Sequence, residues 1–316
     1  NSGLGESILA RLKSSESSVL SKTDGKKVGR ITGLPKLADA AKAGGKDSYK
    51  CSLILTEGDS ARTFALSGFQ VVGREYYGAF PLRGKLLNVQ EATVKQLQEN
   101  AEIIAIKKIM GLQENKDYSK LDDIKKLRYG RIIILTDQDV DGFHIKGLIL
   151  NFFYTKWPSL KKHKDFIQCL PTPIVKASRG KDVEAFYYLT QFEEWLKSNN
   201  QGKGWKVKYY KGLGTSTASE AKECFKKMDE EMRTIYWNAD QFEKEDNEEE
   251  DDEEELTEQQ TMSVVATGNI SYIPKKKIKC DDALDLAFNK KRADDRKLWL
   301  MNYNPSLPPL EDNEVT

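Results

Sequence analysis

Residues 131–146 read RIIILTDQDVDGFHIK. Four consecutive apolar residues, Ile132 to Leu135, have the composition of a strand buried on both faces. Asp137, Asp139 and Asp141 alternate directly after it, and Gly142 precedes an apolar pattern of helical spacing. A strand–turn–helix unit is therefore expected, with three acids at the strand's carboxyl end, the edge where open α/β sheets bind ligands. Carboxylates this close repel one another unless a cation or a bound proton relieves them. A divalent cation is the more economical explanation, and a solvated acidic edge is the alternative.

The same arrangement recurs upstream. CSLIL (51–55) is a short apolar run followed by TEGDSA (56–61), and Ala61, Phe64, Ala65 and Leu66 then repeat at helical spacing. Asp59 or Ser60 is the expected helix cap, and Glu57 stands at the strand's end. Strands separated by helices point to a parallel α/β sheet. In such a sheet Glu57 and Asp137 emerge on one edge although 80 positions apart. Between them, Tyr76, Tyr77 and Phe80 suggest a strand broken by Pro81 and Gly84, and Arg83 and Lys85 flank Gly84 on a turn that suits a phosphate or is a solvated loop. From Glu91 the spacing is helical up to Gly111, the expected C-cap.

Residues 1–50 are polar and weakly patterned, and read as a linker or surface extension with a short helix near 37–43. After Trp157-Pro158, strands are expected over 166–170, 174–177, 185–189 and 205–210. Capping boxes are expected at Thr190-x-x-Glu193 and Thr217-x-x-Glu220. Lys211-Gly-Leu-Gly-Thr215 is a glycine-flanked turn, and a last charged helix is expected over 282–300. Tyr187, Tyr188, Trp195 and Trp205 read as core residues.

Composition limits the function classes. A length of 316 residues suggests two domains, or one large domain with an appendage, and 39% apolar residues are enough for a sizeable core. No apolar run is long enough to cross a membrane, and the first residues do not resemble a secretory signal. Four scattered cysteines and two histidines make no zinc-ligand pattern and fit a reducing compartment. The net charge of +1 conceals an asymmetry: residues 243–255 (EKEDNEEEDDEEE) hold eleven acids and one lysine, leaving 49 basic against 38 acidic residues elsewhere. That run, extended to about 268, reads as a disordered insert. The basic remainder suggests a polyanionic partner.

Three chemistries compete for D-x-D-x-D-G. An EF-hand loop requires Glu at its twelfth position and a preceding helix. Counted from Asp137 the twelfth residue is Leu148, and a strand precedes. A phosphatase with an aspartate nucleophile would use Asp137-Gln-Asp139, but leaves Glu57 and the basic turn without a role. Magnesium-assisted phosphodiester transfer on nucleic acid uses all of these features. A non-catalytic basic nucleic-acid-binding module with structural acids remains a fourth reading.

TEGDSA (56–61), PLRGKLLNV (81–89), IKKIMGL (106–112), TDQDVDGFHIKG (136–147) and YYKGLGTS (209–216) resemble the cleavage core of DNA topoisomerase II, of the eukaryotic kind, and the spaced acids resemble a Toprim signature. NKKRADDRKLWL (289–300) adds to the likeness. The resemblance implies an α/β Toprim (Rossmann-like) parallel sheet flanked by helices with a C-terminal α+β extension. The implied divisions are a linker from the ATPase side over 1–50, the Toprim domain over 51–170, its extension over 171–300, and a linker over 301–316. It implies Mg²⁺ held by Glu57, Asp137 and Asp139, with Asp141 supporting and Mn²⁺ or Ca²⁺ as substitutes. Glu57, Asp137 and Asp139 would be catalytic. Arg83, Lys85, Asn88, His144, Lys146 and Lys211 would contact double-stranded DNA. It further implies an ATP-dependent, homodimeric, nuclear isomerase. None of the thirteen tyrosines lies in the family's nucleophile context, and no Gly-rich ATP-binding motif is present. The chain is therefore expected to be a fragment that is inactive alone.

Overall fold

A computed structural model describes residues 2–27, 29–235 and 280–301. The acidic run 243–255 and its extension to 268 lie outside the described residues. Strands β1 (Ser52–Thr56), β2 (Tyr77–Pro81), β3 (Arg131–Leu135), β4 (Ile167–Cys169) and β8 (Arg233–Thr234) form one sheet in the order β2-β1-β3-β4-β8. The first four are parallel and β8 is antiparallel. Both central strands are buried on two faces, which explains their unbroken apolar composition. Leu53, Leu55, Ile132 and Ile134 face the larger core cluster, whereas Ile54, Ile133 and Leu135 face the smaller one.

The larger face is covered by α4 (Ala101–Met110) and α6 (Val140–Lys156), which contribute Ile106, Ile109, Ile149 and Phe153. The smaller face is covered by α2 (Gly58–Val72) and α8 (Ala218–Lys226). These two helices meet where Gly68 lies under the ring of Phe225, with no room for a Cβ. The helical stretch after Glu91 is broken at Asn100 into α3 (Val94–Glu99) and α4. Asn100 is the hinge because its side chain accepts the Glu102 and Ile103 N–H groups and so restarts the helix. Gly111 ends α4 in the left-handed conformation, as expected.

The amino-terminal segment differs from expectation. It contains a 19-residue helix, α1 (Ser2–Leu20), and no helix at 37–43. Residues 36–43 instead lie against the sheet edge, where Ala38 bridges Ala79 and Asp39 accepts from the Arg128 guanidinium at 2.6 Å. Lys107, buried on α4, binds Asp24 Oδ1 at 3.0 Å, Thr23 Oγ1 at 3.0 Å, the Leu20 carbonyl at 3.1 Å and Glu114 Oε2 at 3.4 Å. Leu20, Ala40 and Ala43 are buried in the larger core cluster beside these polar contacts, but they are too scattered in a polar stretch to form a pattern.

The second sheet has the order β6-β5-β7, all antiparallel: β5 (Val175–Arg179), β6 (Asp182–Phe186) and β7 (Lys206–Tyr209). Phe186, Phe192, Trp195 and Trp205 form its small core with α7 (Leu189–Ser198). The Thr190–Glu193 capping box is not formed. The N-cap lies two residues earlier, at Tyr188, and the Gln191 side chain accepts from the Tyr187 and Tyr188 N–H groups. The Thr217–Glu220 box is formed as expected. The expected last helix is two, α10 (Cys280–Phe288) and α11 (Ala293–Met301), with Asn289 capping the 3-10 turn between them. Among the described residues, α5 (Leu121–Ile124) and α9 (Met228–Glu231) are single turns.

Candidate metal and phosphodiester site

The sheet register sets the site. Thr56 pairs with Leu135, so β1 and β3 end side by side and the next residues leave the same edge. There the Asp137 N–H donates to Glu57 Oε2 at 3.2 Å, joining the two acidic turns. Glu57 is the N-cap residue of α2, but its side chain does not cap the helix, nor does Asp59 or Ser60. Asp59 instead pairs with Lys36 at 2.5 Å, and the Glu57 carboxylate turns to the Asp137 N–H.

Each acid after β3 has a separate anchor. Asp137 Oδ1 accepts the Leu213 N–H at 2.7 Å. Asp139 is the N-cap of α6 and accepts the Gly142 N–H at 2.8 Å. Asp141 is exposed and pairs with Lys85 at 2.8 Å. Gly142 is required because a Cβ there would come within 2.9 Å of the Asp137 carbonyl carbon. Sequence reasoning expected four converging acids. The structure brings Glu57 and Asp137 together and ties Asp139 to a helix end and Asp141 to a lysine. Among the described residues, no three acid, histidine or cysteine side chains converge on one point.

Electrostatics follow from this placement. Burial raises the Glu57 carboxyl above its ordinary range. The Asp137 N–H opposes the rise, and repulsion from Asp137, Asp139 and Asp141 adds to it. Burial also raises Asp137, opposed by the Leu213 N–H and reinforced by Asp139. Asp141 is lowered by its hydrogen bond and charge pairing with Lys85. The donor set is all carboxylate oxygen and short of positive charge at Glu57 and Asp137. Such a set fits a hard divalent cation that retains several waters.

The cations expected around the site separate into groups. Lys85 and Lys211 lie beside the acids, Lys85 through Asp141 and Lys211 on the wall of the cleft with Asp137, Asp139 and Tyr210. Lys146 reaches Gln138 Oε1 at 2.9 Å and lies over the Phe143 ring at 4.7 Å. Arg83 is exposed on its turn, where its N–H donates to the Glu102 carboxylate. His144 is exposed and stacks on Phe288, ring centres 6.2 Å apart. Asn88 is turned inward: it donates to the Phe288 carbonyl at 2.8 Å and accepts from Asn151 at 2.8 Å.

Sequence reasoning missed Gly212 and Leu213 as parts of this site. The double glycine in KGLGT was legible as a turn, but its contact with Asp137 depends on how the second sheet is placed.

Comparison with known proteins agrees with this architecture. Residues 52–169 match the Toprim domain, and residues 170–253 match the C-terminal associated domain of TOPRIM. Over 96% of its length the chain is 50% identical to DNA topoisomerase 2 of Acanthamoeba polyphaga mimivirus. It is 48% identical over 95% of its length to human DNA topoisomerase 2-alpha. The chain belongs to the DNA topoisomerase II family. It spans 25% of the viral relative's length and 17% of the human one's. The crystal structure of the Plasmodium falciparum topoisomerase II DNA-binding, cleavage and re-ligation domain superposes with a TM-score of 0.70. That match has 45% identity and covers 87% of this chain and 32% of that one. The fold is thus the α/β Toprim fold with an added C-terminal sheet, and the chain is the Toprim part of the family's cleavage and re-ligation region.

Proposed function

We propose that this chain supplies the metal-holding, acid–base face of a type II topoisomerase that cuts and reseals both strands of a DNA duplex. The observation that carries the reading is the pairing of β1 with β3, which sets Glu57 against Asp137 on one sheet edge. Glu57, Asp137 and Asp139 would hold Mg²⁺, with Asp141 supporting the site and Mn²⁺ or Ca²⁺ as substitutes. When bound, the ion would stabilise negative charge on the attacking and leaving oxygens. Glu57 is suited to proton transfer at the DNA 3′-oxygen, because burial and repulsion raise its carboxyl above the ordinary range. Lys85 and Lys211 would neutralise phosphates flanking the cut, with Arg83, Asn88, His144 and Lys146 extending the contact.

The nucleophile would come from elsewhere in the polypeptide. Tyr210, the tyrosine on the cleft wall, donates its hydroxyl to Glu220 at 2.6 Å. Burial and that carboxylate raise its phenol above the ordinary range, so it is a poor nucleophile. We propose that the 316-residue chain alone cleaves no DNA, and that ATP use, homodimer formation and nuclear residence belong to the whole enzyme. No described helix is long and apolar enough to cross a membrane.

A second reading, a non-catalytic basic module, draws support from the anchors of Asp139 and Asp141, which give both acids a structural use. The test uses a longer polypeptide that includes a tyrosine-bearing domain. Under the first reading Glu57→Gln abolishes relaxation of supercoiled DNA while binding persists. Unchanged relaxation would overturn it and favour the second.

A further inference from the structure

The turn at 212–215 lies against both acidic strand ends. A Cβ at Gly214 would touch Ser60, in the first turn of α2, at 3.5 Å. Leu213 donates its N–H to Asp137 Oδ1. A Cβ at Gly212 would overlap the Asp137 carboxylate, coming within 2.7 Å of its Cγ and 3.0 Å of Oδ1. Both carboxylate oxygens of Asp137 therefore face a backbone that approaches them only because position 212 has no side chain.

The turn is held from both sides. Before it, Tyr210 N–H bonds to the Ile174 carbonyl at 2.8 Å beside β5, and Tyr210 and Lys208 both reach Glu220 Oε1 at 2.6 Å. After it, Thr217 caps α8, which packs on α2 through Phe225 and Gly68. Within it, Thr215 N–H and Oγ1 both donate to the Gly212 carbonyl, at 3.1 and 2.8 Å. A hydrogen-bond donor fixed this firmly can orient a flexible carboxylate.

We infer that the Gly212–Leu213 turn is a positioning element for Asp137, so that the second sheet is a working part of the acid site. The turn sets which way the Asp137 carboxylate faces, through the Leu213 N–H bonded to Oδ1 and the bare backbone at Gly212. The inference deepens the cation reading above and rests on it for consequence, but the Asp137–Leu213 contact can be measured without any cation.

The experiment has two arms on the full 316-residue chain. The first follows Leu213 amide hydrogen exchange by NMR in wild type and Asp137→Ala. Loss of the acceptor should speed exchange at Leu213 by about tenfold or more. The Thr215 and Ser216 amides, bonded to Gly212 and Leu213 carbonyls, should keep their rates. Unchanged exchange at Leu213 would overturn the inference. The second arm titrates Mn²⁺ by electron paramagnetic resonance into wild type, Gly212→Ala, Gly214→Ala and Glu57→Gln. Gly212→Ala should weaken uptake by about tenfold, and Gly214→Ala, whose Cβ has room, should match wild type. Folded Gly212→Ala with wild-type uptake would also overturn it. Gly212 has a φ of +154°, so alanine strains the backbone as well. Should that variant not fold, the exchange arm decides alone. Wild-type uptake by Glu57→Gln would defeat the cation reading and leave the exchange arm to judge the positioning.

Discussion

Lys85 and Asp141 come from segments 56 residues apart in sequence, and their ion pair is the link between the basic turn and the acidic one. Lys85 is the main reason that Asp141 is held below the ordinary carboxylate range. In Lys85→Met, a carbon-13 titration should find the Asp141 carboxyl returned upward. A value that stays low would show that the pair does not form in solution. The thermal transition should not move, because exposed pairs contribute little to stability. Most of the residues at this scale were legible in the sequence. Acid spacing after an apolar run reported Glu57, Asp137 and Asp139. What could not be read was each acid's partner: the Asp139 cap depends on where α6 begins, and the Asp137 anchor lies 76 positions away.

At the scale of elements, the packing of α2 on α8 depends on one glycine. Alanine at position 68 would gain about 1 kcal/mol from helix propensity. It would also bring a methyl group within 2.6 Å of the Phe225 ring, itself packed on Phe64 and Phe69. Overpacking of this kind costs about 1–3 kcal/mol, so Gly68→Ala should be net destabilising by about 1 kcal/mol in urea unfolding. Gly68→Ala with Phe225→Leu should recover part of the loss. A stabilised single variant would refute the close approach. Glu220 ties β7 to α8. Burial alone would raise its carboxyl, but the Lys208 ammonium, the Thr217 N–H and hydroxyl and the Tyr210 hydroxyl outweigh it and hold it at about 2. Its folded value is therefore depressed. The stability it contributes is complete above about pH 4.5 and is lost as pH falls toward 2. Glu220→Gln should flatten that part of the acid-unfolding curve; an identical curve would contradict the assignment. Most of the strands, α2 and the Thr217 box were readable because burial and capping leave local patterns, but the strand expected over 185–189 lies at Asp182–Phe186, and the two-residue β8 left no pattern. The breaks at Asn100 and Asn289 were not readable, since a single asparagine restarting a helix looks like any polar residue within one.

Across the whole molecule, the amino-terminal segment is fastened to α4 by buried charge. Lys107 and Glu114 are 3% and 4% exposed, and Lys156, at the end of α6, takes the second Glu114 oxygen at 2.5 Å. Lys107→Met leaves Asp24 without its cation and Glu114 with one of two, and should cost about 3 kcal/mol. Limited proteolysis should then cut within residues 1–27 first. Protection equal to wild type would show that the network does not hold the segment. This attachment was illegible in sequence because nothing local distinguishes a buried lysine from a solvated one. The basic excess was legible and points to a polyanion, while the cluster at the sheet edge is where that polyanion would be worked on. The account depends on that cluster taking a cation. Mn²⁺ titrated into wild type and into Asp137→Asn/Asp139→Asn, which keeps the α6 cap and removes two charges, tests this most directly. The account predicts that the double variant loses at least about tenfold in affinity; equal uptake by the two proteins would contradict it.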